Sequence, residues 1–311
     1  MSTILVTARS FRAIPGRHMR LLEESGHRLI LPEADGPFKA DELVSMVIGV
    51  DAIIAGNDQI DRSVIEAADR LIIIGKHGTG TDNIDVEAAQ ATGVAIVTAP
   101  GANAESVAEL AVAMMLAALR RLKWHHEVVA GDGWSRSLGR ELGACTVALV
   151  GFGKVGQHVA KLARSFGAAV RVVEPSPDLE LLHELSCVLM PLQEAVHGAD
   201  VLSLHCPLTE GSRGLIDAAV LSRLAHAAIL VNTARAALVD DQAVLDALES
   251  DRLSCYATDV YREEPPKDRK LAGLDGALCT PHIGAYTVQA VERTGTAVAH
   301  AVLDALTKGQ Q

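Results

Sequence analysis

The sequence contains few aromatic residues. Four Phe, three Tyr and two Trp make up 3% of its 311 residues, so a buried core must be built mainly from Ala, Val, Leu and Ile. Hydrophobic residues reach 49% and charged residues 22%, a balance that is typical of globular proteins and excludes a largely disordered chain. At ~150 residues per domain, the length predicts about two domains.

Cysteine pairs, long apolar runs and excess positive charge are also missing. The five cysteines are scattered without a C-x-x-C pair, so we expect reduced thiols in the cytoplasm and no disulfide framework or metal site. The apolar run Leu110–Leu119 is too short for a membrane span of ~20 residues, and the N-terminal apolar stretch is too short for a signal peptide. The net charge of −11 disfavours nucleic acids and membrane surfaces as partners.

Short β-branched runs alternate with helical stretches along the chain, which predicts parallel sheets covered by helices on both faces. The predicted strands form a first set, Ile4–Thr7, Ala52–Ala55, Leu71–Gly75 and Ala95–Thr98, and a second set, Thr146–Val150, Ala169–Val173, Val201–His205, Ala228–Asn232 and Ser254–Asp259. The predicted helices include Asp61–Asp69, Asp85–Ala91, Ala104–Arg121, Val155–Phe166, Asp241–Glu249 and Thr287–Thr307. Two α/β units of unequal size follow from this pattern.

A G-x-G-x-x-G sequence, Gly151 to Gly156, lies between the predicted strand TVALV and a predicted helix. This context is the one that dinucleotide binding requires. Gly151 allows the tight turn, Gly153 lets the backbone approach a pyrophosphate, and Gly156 lets the helix pack closely on the strand. The amino end of the helix supplies N–H groups for the phosphates.

Glu174 ends the next predicted strand, AVRVV. An acidic residue at this distance from the glycines accepts hydrogen bonds from the adenosine ribose hydroxyls and repels a 2′-phosphate. The following residues, up to Asp178, offer no arginine for such a phosphate. The sequence therefore predicts NAD rather than NADP.

Three polar side chains, Arg235, Glu264 and His282, lie at the ends of predicted strands or in the loops that follow. Ligands bind at the carboxyl ends of strands in doubly wound sheets. A lone histidine is more often a structural residue, and Arg235 or Glu264 alone would suit a solvated surface. Their occurrence together behind a dinucleotide motif favours a catalytic site.

The motifs together resemble those of the D-isomer-specific 2-hydroxyacid dehydrogenases, especially the phosphoglycerate dehydrogenase-like branch. The resemblance covers nearly the whole chain and consists of KHGTGTDNID (76–85), APGANAESVAEL (99–110), GFGKVG (151–156), HCPLT (205–209), NTARAALVD (232–240), TDVYREEPP (258–266) and TPHIG (280–284). It implies a Rossmann NAD-binding domain over residues 99–286 and a smaller flavodoxin-like substrate domain over residues 1–98 and 287–311. It also implies a homodimer built by a helix of the nucleotide domain.

The resemblance implies that hydride passes between a small anionic D-2-hydroxy acid, phosphoglycerate-, glycerate- or lactate-like, and NAD. Arg235, Glu264 and His282 then form the catalytic set. An imidazole changes protonation near neutral pH and suits His282 to proton transfer at the hydroxyl. Glu264 would fix the tautomer of the ring, and the guanidinium fork of Arg235 would hold the substrate carboxylate and polarise the keto oxygen.

The resemblance also assigns binding residues. The cofactor contacts are Thr79, Gly151, Gly153, Lys154, Val155, Gly156, Glu174, Cys206, Thr233, Ala234, Arg235, Asp259, His282 and Gly284. The substrate contacts are Asn57, Lys76, His77, Gly78 and Arg235, with Lys76 and Arg235 as the expected positive charges.

The sequence departs from the family pattern at two places. Ala236 replaces the usual Gly after the catalytic Arg, and Ala55–Asp58 lacks the arginine that phosphoglycerate-specific members tend to carry. The second departure weakens the case for a phosphorylated substrate. The sequence ends soon after the last predicted helix, so we expect no C-terminal regulatory domain.

Two other functions remain compatible with the sequence. One is an NADH-sensing corepressor-like binding protein of the same fold, which can retain the three polar residues. The other is a formate- or phosphite-type dehydrogenase, whose substrate has no carbon chain.

Overall fold

A computed structural model describes residues 1–308. The strands are β1 (Thr3–Val6), β2 (Arg28–Ile30), β3 (Ala52–Ala55), β4 (Ile73–Lys76), β5 (Ala95–Val97), β6 (Thr146–Val150), β7 (Ala169–Val173), β8 (Val188–Leu189), β9 (Val201–Leu204), β10 (Ala228–Asn232), β11 (Leu253–Thr258) and β12 (Ala277–Cys279). The α-helices are α1 (Arg9–Arg12), α2 (Arg17–Glu23), α3 (Ala40–Met46), α4 (Arg62–Ala67), α5 (Val86–Thr92), α6 (Ala104–Leu119), α7 (Leu122–Ala130), α8 (Lys154–Ser165), α9 (Leu179–Glu184), α10 (Leu192–Ala195), α11 (Ala218–Arg223), α12 (Asp241–Glu249) and α13 (Val288–Lys308). Short 3₁₀ turns cover Leu142–Ala144, Ala236–Leu238 and Leu271–Gly273.

The chain forms two compact units. Unit 1 contains Met1–Asn103 and the segment that starts at Ala285, and unit 2 contains Ala104–Gly284. The division predicted from the sequence, after residue 98 and before residue 287, lies within a few residues of these limits.

Unit 1 contains a parallel five-stranded sheet in the order β2-β1-β3-β4-β5. This is the flavodoxin-like order. Strand β3 is buried along its whole length, which agrees with a sheet that helices cover on both faces. Helix α13 packs on this sheet, and its Val298 and Val302 share one apolar cluster with Ile4 and Ile54.

Unit 2 contains a parallel seven-stranded sheet in the order β12-β11-β10-β9-β6-β7-β8. Strands β6 to β11 have the Rossmann order. The chain adds β7 and β8 on one side of β6 and then β9, β10 and β11 on the other side, so the strand order reverses between β6 and β9. The register places Val150 beside Leu204 and Asn232 beside Thr258. The carboxyl ends of β6 and β9 therefore meet at the position where doubly wound sheets bind ligands.

Several element ends differ from the sequence prediction. The helix predicted over Ala104–Arg121 ends at Leu119, and α7 begins at Leu122 after a left-handed Arg121 with φ 49°. The short strands β2, β8 and β12 were absent from the prediction. Asp85 caps the amino end of α5, because its carboxylate accepts a hydrogen bond from Ala88 N–H at 2.8 Å. In residues 1–308, none of the helices has both the length and the apolar character needed to cross a membrane.

Candidate active site

The glycine-rich turn of unit 2 joins β6 to α8. Gly151 has φ 101°, and a Cβ there would lie 2.5 Å from the backbone nitrogen of Cys206. A Cβ on Gly156 would lie 2.2 Å from the Gly151 carbonyl oxygen. A Cβ on Gly153, in contrast, would meet no heavy atom within 4 Å. Close packing therefore requires glycine at positions 151 and 156. Gly153, in contrast, leaves space at the amino end of α8, beside Lys154 and Val155.

Glu174 lies beside this turn, just after β7. Its two carboxylate oxygens accept hydrogen bonds from Phe152 N–H at 2.8 Å and Ser176 N–H at 3.1 Å. Each oxygen retains further acceptor capacity. A cavity next to it is lined by Val173, Glu174, Pro175, Leu189, Met190 and Pro191. The site therefore combines an oriented carboxylate with an apolar wall, which suits an adenosine.

The Cys206 and Thr233 side chains lie in loops at the carboxyl ends of β9 and β10. Burial raises the pKa of the Cys206 thiol, so this residue is a neutral neighbour of the glycine-rich turn. The Thr233 hydroxyl is buried and has no hydrogen-bond partner within residues 1–308. A buried hydroxyl that the protein leaves unsatisfied is a suitable contact for a polar ligand.

Arg235, Glu264 and His282 follow β10, β11 and β12, which are adjacent in the sheet. His282 Nδ1 and Glu264 Oε2 are 2.6 Å apart, and both side chains are partly exposed. The other carboxylate oxygen of Glu264 accepts a hydrogen bond from Tyr261 N–H at 3.2 Å. His282 has φ 54°, an unusual backbone conformation that is held by its surroundings and is common at functional sites.

Asp259 supports the loop that contains His282. Its buried carboxylate accepts hydrogen bonds from the Thr280 hydroxyl at 2.6 Å, Ile283 N–H at 2.7 Å and Gly284 N–H at 2.7 Å. Ser106 fixes the same loop from α6 by donating to the Gly284 carbonyl at 2.6 Å. The structure thus places Asp259 and Gly284, both predicted to contact the cofactor, in direct contact with each other.

The predicted substrate residues Asn57 and Lys76 form a polar cluster in unit 1. Lys76 is 3% exposed. Its ammonium donates to the Gly56 carbonyl, to Asn57 Oδ1 at 3.2 Å and to Asn83 Oδ1 at 3.0 Å. An ammonium has three N–H donors, so these oxygens match its full capacity. Asp58, also buried, accepts from the Thr7 hydroxyl at 2.7 Å.

His77, the next predicted substrate residue, is held inside unit 1. Its Nδ1 lies 2.7 Å from the Ser10 hydroxyl and its Nε2 lies 3.3 Å from the Val291 carbonyl. Burial lowers the pKa of His77 to about 4, so the ring is neutral at pH 7. Gly78 and Thr79 follow in the loop, and Gly78 N–H donates to the Lys76 carbonyl at 2.9 Å.

A model of the D-isomer specific 2-hydroxyacid dehydrogenases, NAD binding domain, matches residues 112–284. The chain belongs to this family. A D-3-phosphoglycerate dehydrogenase of Methanocaldococcus jannaschii is 36% identical over 288 residues, which cover 91% of this chain and 54% of that protein. A hydroxypyruvate reductase of Thermotoga maritima is 37% identical over 82% of this chain and 84% of its own length.

Solved structures of similar fold cover nearly the whole length of this chain. The TT0316 protein of Thermus thermophilus has a TM-score of 0.88 and 34% identity, over 98% of this chain and 97% of that chain. A D-lactate dehydrogenase of Aquifex aeolicus, complexed with NAD and lactic acid, has a TM-score of 0.86 and 26% identity, over 99% and 96% of the two chains. The chain spans about half the length of the curated D-3-phosphoglycerate dehydrogenases that it matches.

NAD is the cofactor of this family's matched domain, and the residues of unit 2 fit it. Three observations support the fit: the open face of Gly153, the carboxylate of Glu174 and the unsatisfied hydroxyl of Thr233.

The sequence analysis did not identify three residues that support the site, namely Asn232, Ser106 and Thr280. A polar residue at the end of the otherwise apolar strand AILVN was the available signal for Asn232.

Proposed function

We propose that the chain is an NAD-dependent oxidoreductase that interconverts a small D-2-hydroxy acid and its 2-oxo acid. The observation that supports this most strongly is the 2.6 Å His282–Glu264 pair on an NAD binding domain, beside the loop that contains Arg235. When bound, the nicotinamide supplies or accepts the hydride.

The proposed roles follow from the geometry of the His282–Glu264 pair and from the chemistry of each side chain. Because the Glu264 carboxylate is hydrogen-bonded to Nδ1 of His282, Nε2 is the nitrogen that exchanges a proton with the substrate hydroxyl. Glu264 fixes the ring and its tautomer. Arg235 binds the substrate carboxylate through two parallel hydrogen bonds and polarises the keto oxygen. The fork of Arg235 is a better match for this task than a lysine ammonium.

The experiment is NADH consumption at 340 nm with hydroxypyruvate, glyoxylate, pyruvate, phosphohydroxypyruvate and sulfopyruvate. We expect turnover with at least one of these acids and a loss of about 100- to 10 000-fold in kcat for His282→Ala. Absence of turnover with all five, together with no effect of His282→Ala on any oxo acid of a wider panel, would contradict the proposal.

We propose further that unit 1 is the substrate domain and that the preferred acid is unphosphorylated. The segment Ala55–Asp58, at the carboxyl end of β3, contains no cation, and the Lys76 ammonium donates to three protein oxygens nearby. A phosphate would therefore meet Asn57 instead of a free positive charge. The kcat/KM of hydroxypyruvate is expected to exceed that of phosphohydroxypyruvate, and the reverse order would overturn this part.

We propose a cytoplasmic homodimer that uses α7 and the segment after it. Within Leu122–Ala130 no residue is buried, and Trp134 and Leu138 are 84% and 99% exposed. Large exposed apolar side chains that cluster in this way are typical of protein contacts. Light scattering after size exclusion should give a dimeric mass for the wild type and a lower mass for Trp134→Glu/Leu138→Glu. A monomeric wild type would contradict the assignment.

A further inference from the structure

Asn232 is a buried polar residue next to the proposed catalytic Arg235. It ends β10, an otherwise apolar strand that is buried throughout, and its exposure is 0%. A buried amide costs free energy unless its polar atoms are paired. The bonds that Asn232 makes in this position therefore indicate what the residue does.

The Asn232 side chain holds the backbone on both sides of the Arg235 α-carbon. Its Oδ1 accepts a hydrogen bond from Ala234 N–H at 3.1 Å, and its Nδ2 donates to the Arg235 carbonyl at 3.0 Å. A contact of 3.4 Å with the Tyr256 hydroxyl is longer. We call the two bonds to the 234–235 backbone the Asn232 bracket.

The main chain of Asn232 reaches the loop of the other proposed catalytic residue. Its carbonyl accepts a hydrogen bond from Asp259 N–H at 3.0 Å. The Asp259 carboxylate in turn accepts from Ile283 N–H and Gly284 N–H at 2.7 Å each. One residue at the end of β10 is thus bonded directly to the Arg235 loop and, through Asp259, to the loop that contains His282.

We propose that Asn232 is a positioning residue, which fixes Arg235 and sets its place relative to the His282 loop. The inference rests on the proposed function, since it assumes that Arg235 binds the substrate carboxylate. A bidentate carboxylate contact tolerates little displacement. Loss of the bracket should therefore weaken binding of the oxo acid and leave the glycine-rich turn unaffected.

The test uses Asn232→Ala, which removes both bonds, and Asn232→Asp, an isosteric change that keeps the acceptor but loses the donor to the Arg235 carbonyl. For both variants the KM of the oxo acid should rise about tenfold or more, the cost of 1.4 kcal/mol or more in binding. The Kd of NADH, measured by fluorescence without substrate, should rise by a smaller factor than the KM of the oxo acid, because the glycine-rich turn and Glu174 are unaffected while Thr233 and Ala234 are predicted cofactor contacts. Tyr256→Phe is the matched control, because it removes the longer contact and leaves both bonds of the Asn232 bracket in place, and it should leave the KM unchanged.

Hydrogen exchange provides a readout that does not depend on activity. Amides of residues 233–238 should exchange faster in Asn232→Ala than in the wild type, while the exchange rates of residues 151–156 should not change.

If the KM of the oxo acid and the exchange rates of residues 233–238 are both unchanged, the proposal is overturned. If KM, kcat, the Kd of NADH and the melting temperature all deteriorate together, Asn232 is structural only and the proposal is overturned as well. If the wild type reduces no oxo acid, the proposed function fails, and the exchange result alone decides on the bracket.

Discussion

Glu264 and His282 illustrate how two residues from different loops become one chemical group. The 2.6 Å contact between Oε2 and Nδ1 leaves only Nε2 for exchange with a substrate. The second carboxylate oxygen is held by Tyr261 N–H, so Glu264 cannot rotate without losing a hydrogen bond. The pair is therefore oriented before any ligand binds.

Replacing Glu264 by Gln should lower kcat by about tenfold or more, since a neutral amide stabilises the charged imidazole less than a carboxylate does. The Kd of NADH should not change. Glu263→Gln is the control, because Glu263 is exposed and pairs with Lys267 at 2.6 Å. Equal kcat values for Glu264→Gln and Glu263→Gln would show that the pair has no role in turnover.

Lys76 allows a second prediction at the residue scale. Replacing it by Met removes the ammonium that donates to oxygens of Gly56, Asn57 and Asn83, and only the Asn83 amide, at 3.2 Å, still donates to the Gly56 carbonyl among these bonds. Such a loss in a buried site costs about 1–3 kcal/mol, so urea should unfold Lys76→Met at a lower concentration. Exposed Lys161 provides the control variant, Lys161→Met. Unchanged stability combined with loss of oxo-acid binding would instead support a direct contact between Lys76 and the substrate.

At the scale of elements, local patterns were predictable and pairwise ones were not. The junction of β6 and α8 followed from glycine spacing, because the turn, the strand and the helix are adjacent in the sequence. Strand β12 has three residues and is defined by its register with β11, so nothing local predicts it. The candidate site shows the same contrast. The positions of Glu264 and His282 after predicted strands placed both at one sheet edge, because this follows from the local sequence. The direction of the Lys76 side chain could not be predicted, because it depends on oxygens from two other loops.

Two of the three glycines at the β6–α8 junction, Gly153 and Gly156, should respond differently to replacement by alanine. Gly153→Ala should leave the urea midpoint nearly unchanged, because its Cβ meets no atom within 4 Å, but it should raise the Kd of NADH by occupying that space. Gly156→Ala should lower the midpoint, since its Cβ would lie 2.2 Å from a backbone carbonyl. Each variant serves as the control for the other. A destabilised Gly153→Ala that binds NADH normally would refute the assignment of the open face.

The whole molecule depends on histidines that the fold keeps neutral. Burial lowers the pKa of His205 to about 3 and that of His77 to about 4. His205 lies beneath the glycine-rich turn of unit 2, where a Cβ on Gly156 would lie 3.7 Å from it. His77 belongs to unit 1. Each unit therefore contains a ring that must stay uncharged in the native state.

These rings predict how stability changes with pH. An unfolded histidine takes up a proton near pH 6.5, whereas the native rings do so only near pH 4 and below. Between these values the unfolded state binds more protons, so the free energy of unfolding falls as the pH is lowered from about 6.5 to 4. This contribution is complete above pH 6.5 and is lost on acidification.

His205→Gln should flatten this dependence. The variant loses the 2.9 Å contact with the Ser203 hydroxyl and should be less stable than the wild type at pH 7.5. Its urea midpoint should nevertheless fall less between pH 6.5 and 4.5, because one ring that takes up a proton only when unfolded is absent. Exposed His300 provides the matched variant, His300→Gln, which should keep the wild-type slope. If His205→Gln and the wild type lose stability in parallel, the neutral His205 does not contribute to acid sensitivity, and the carboxylates must account for all of it.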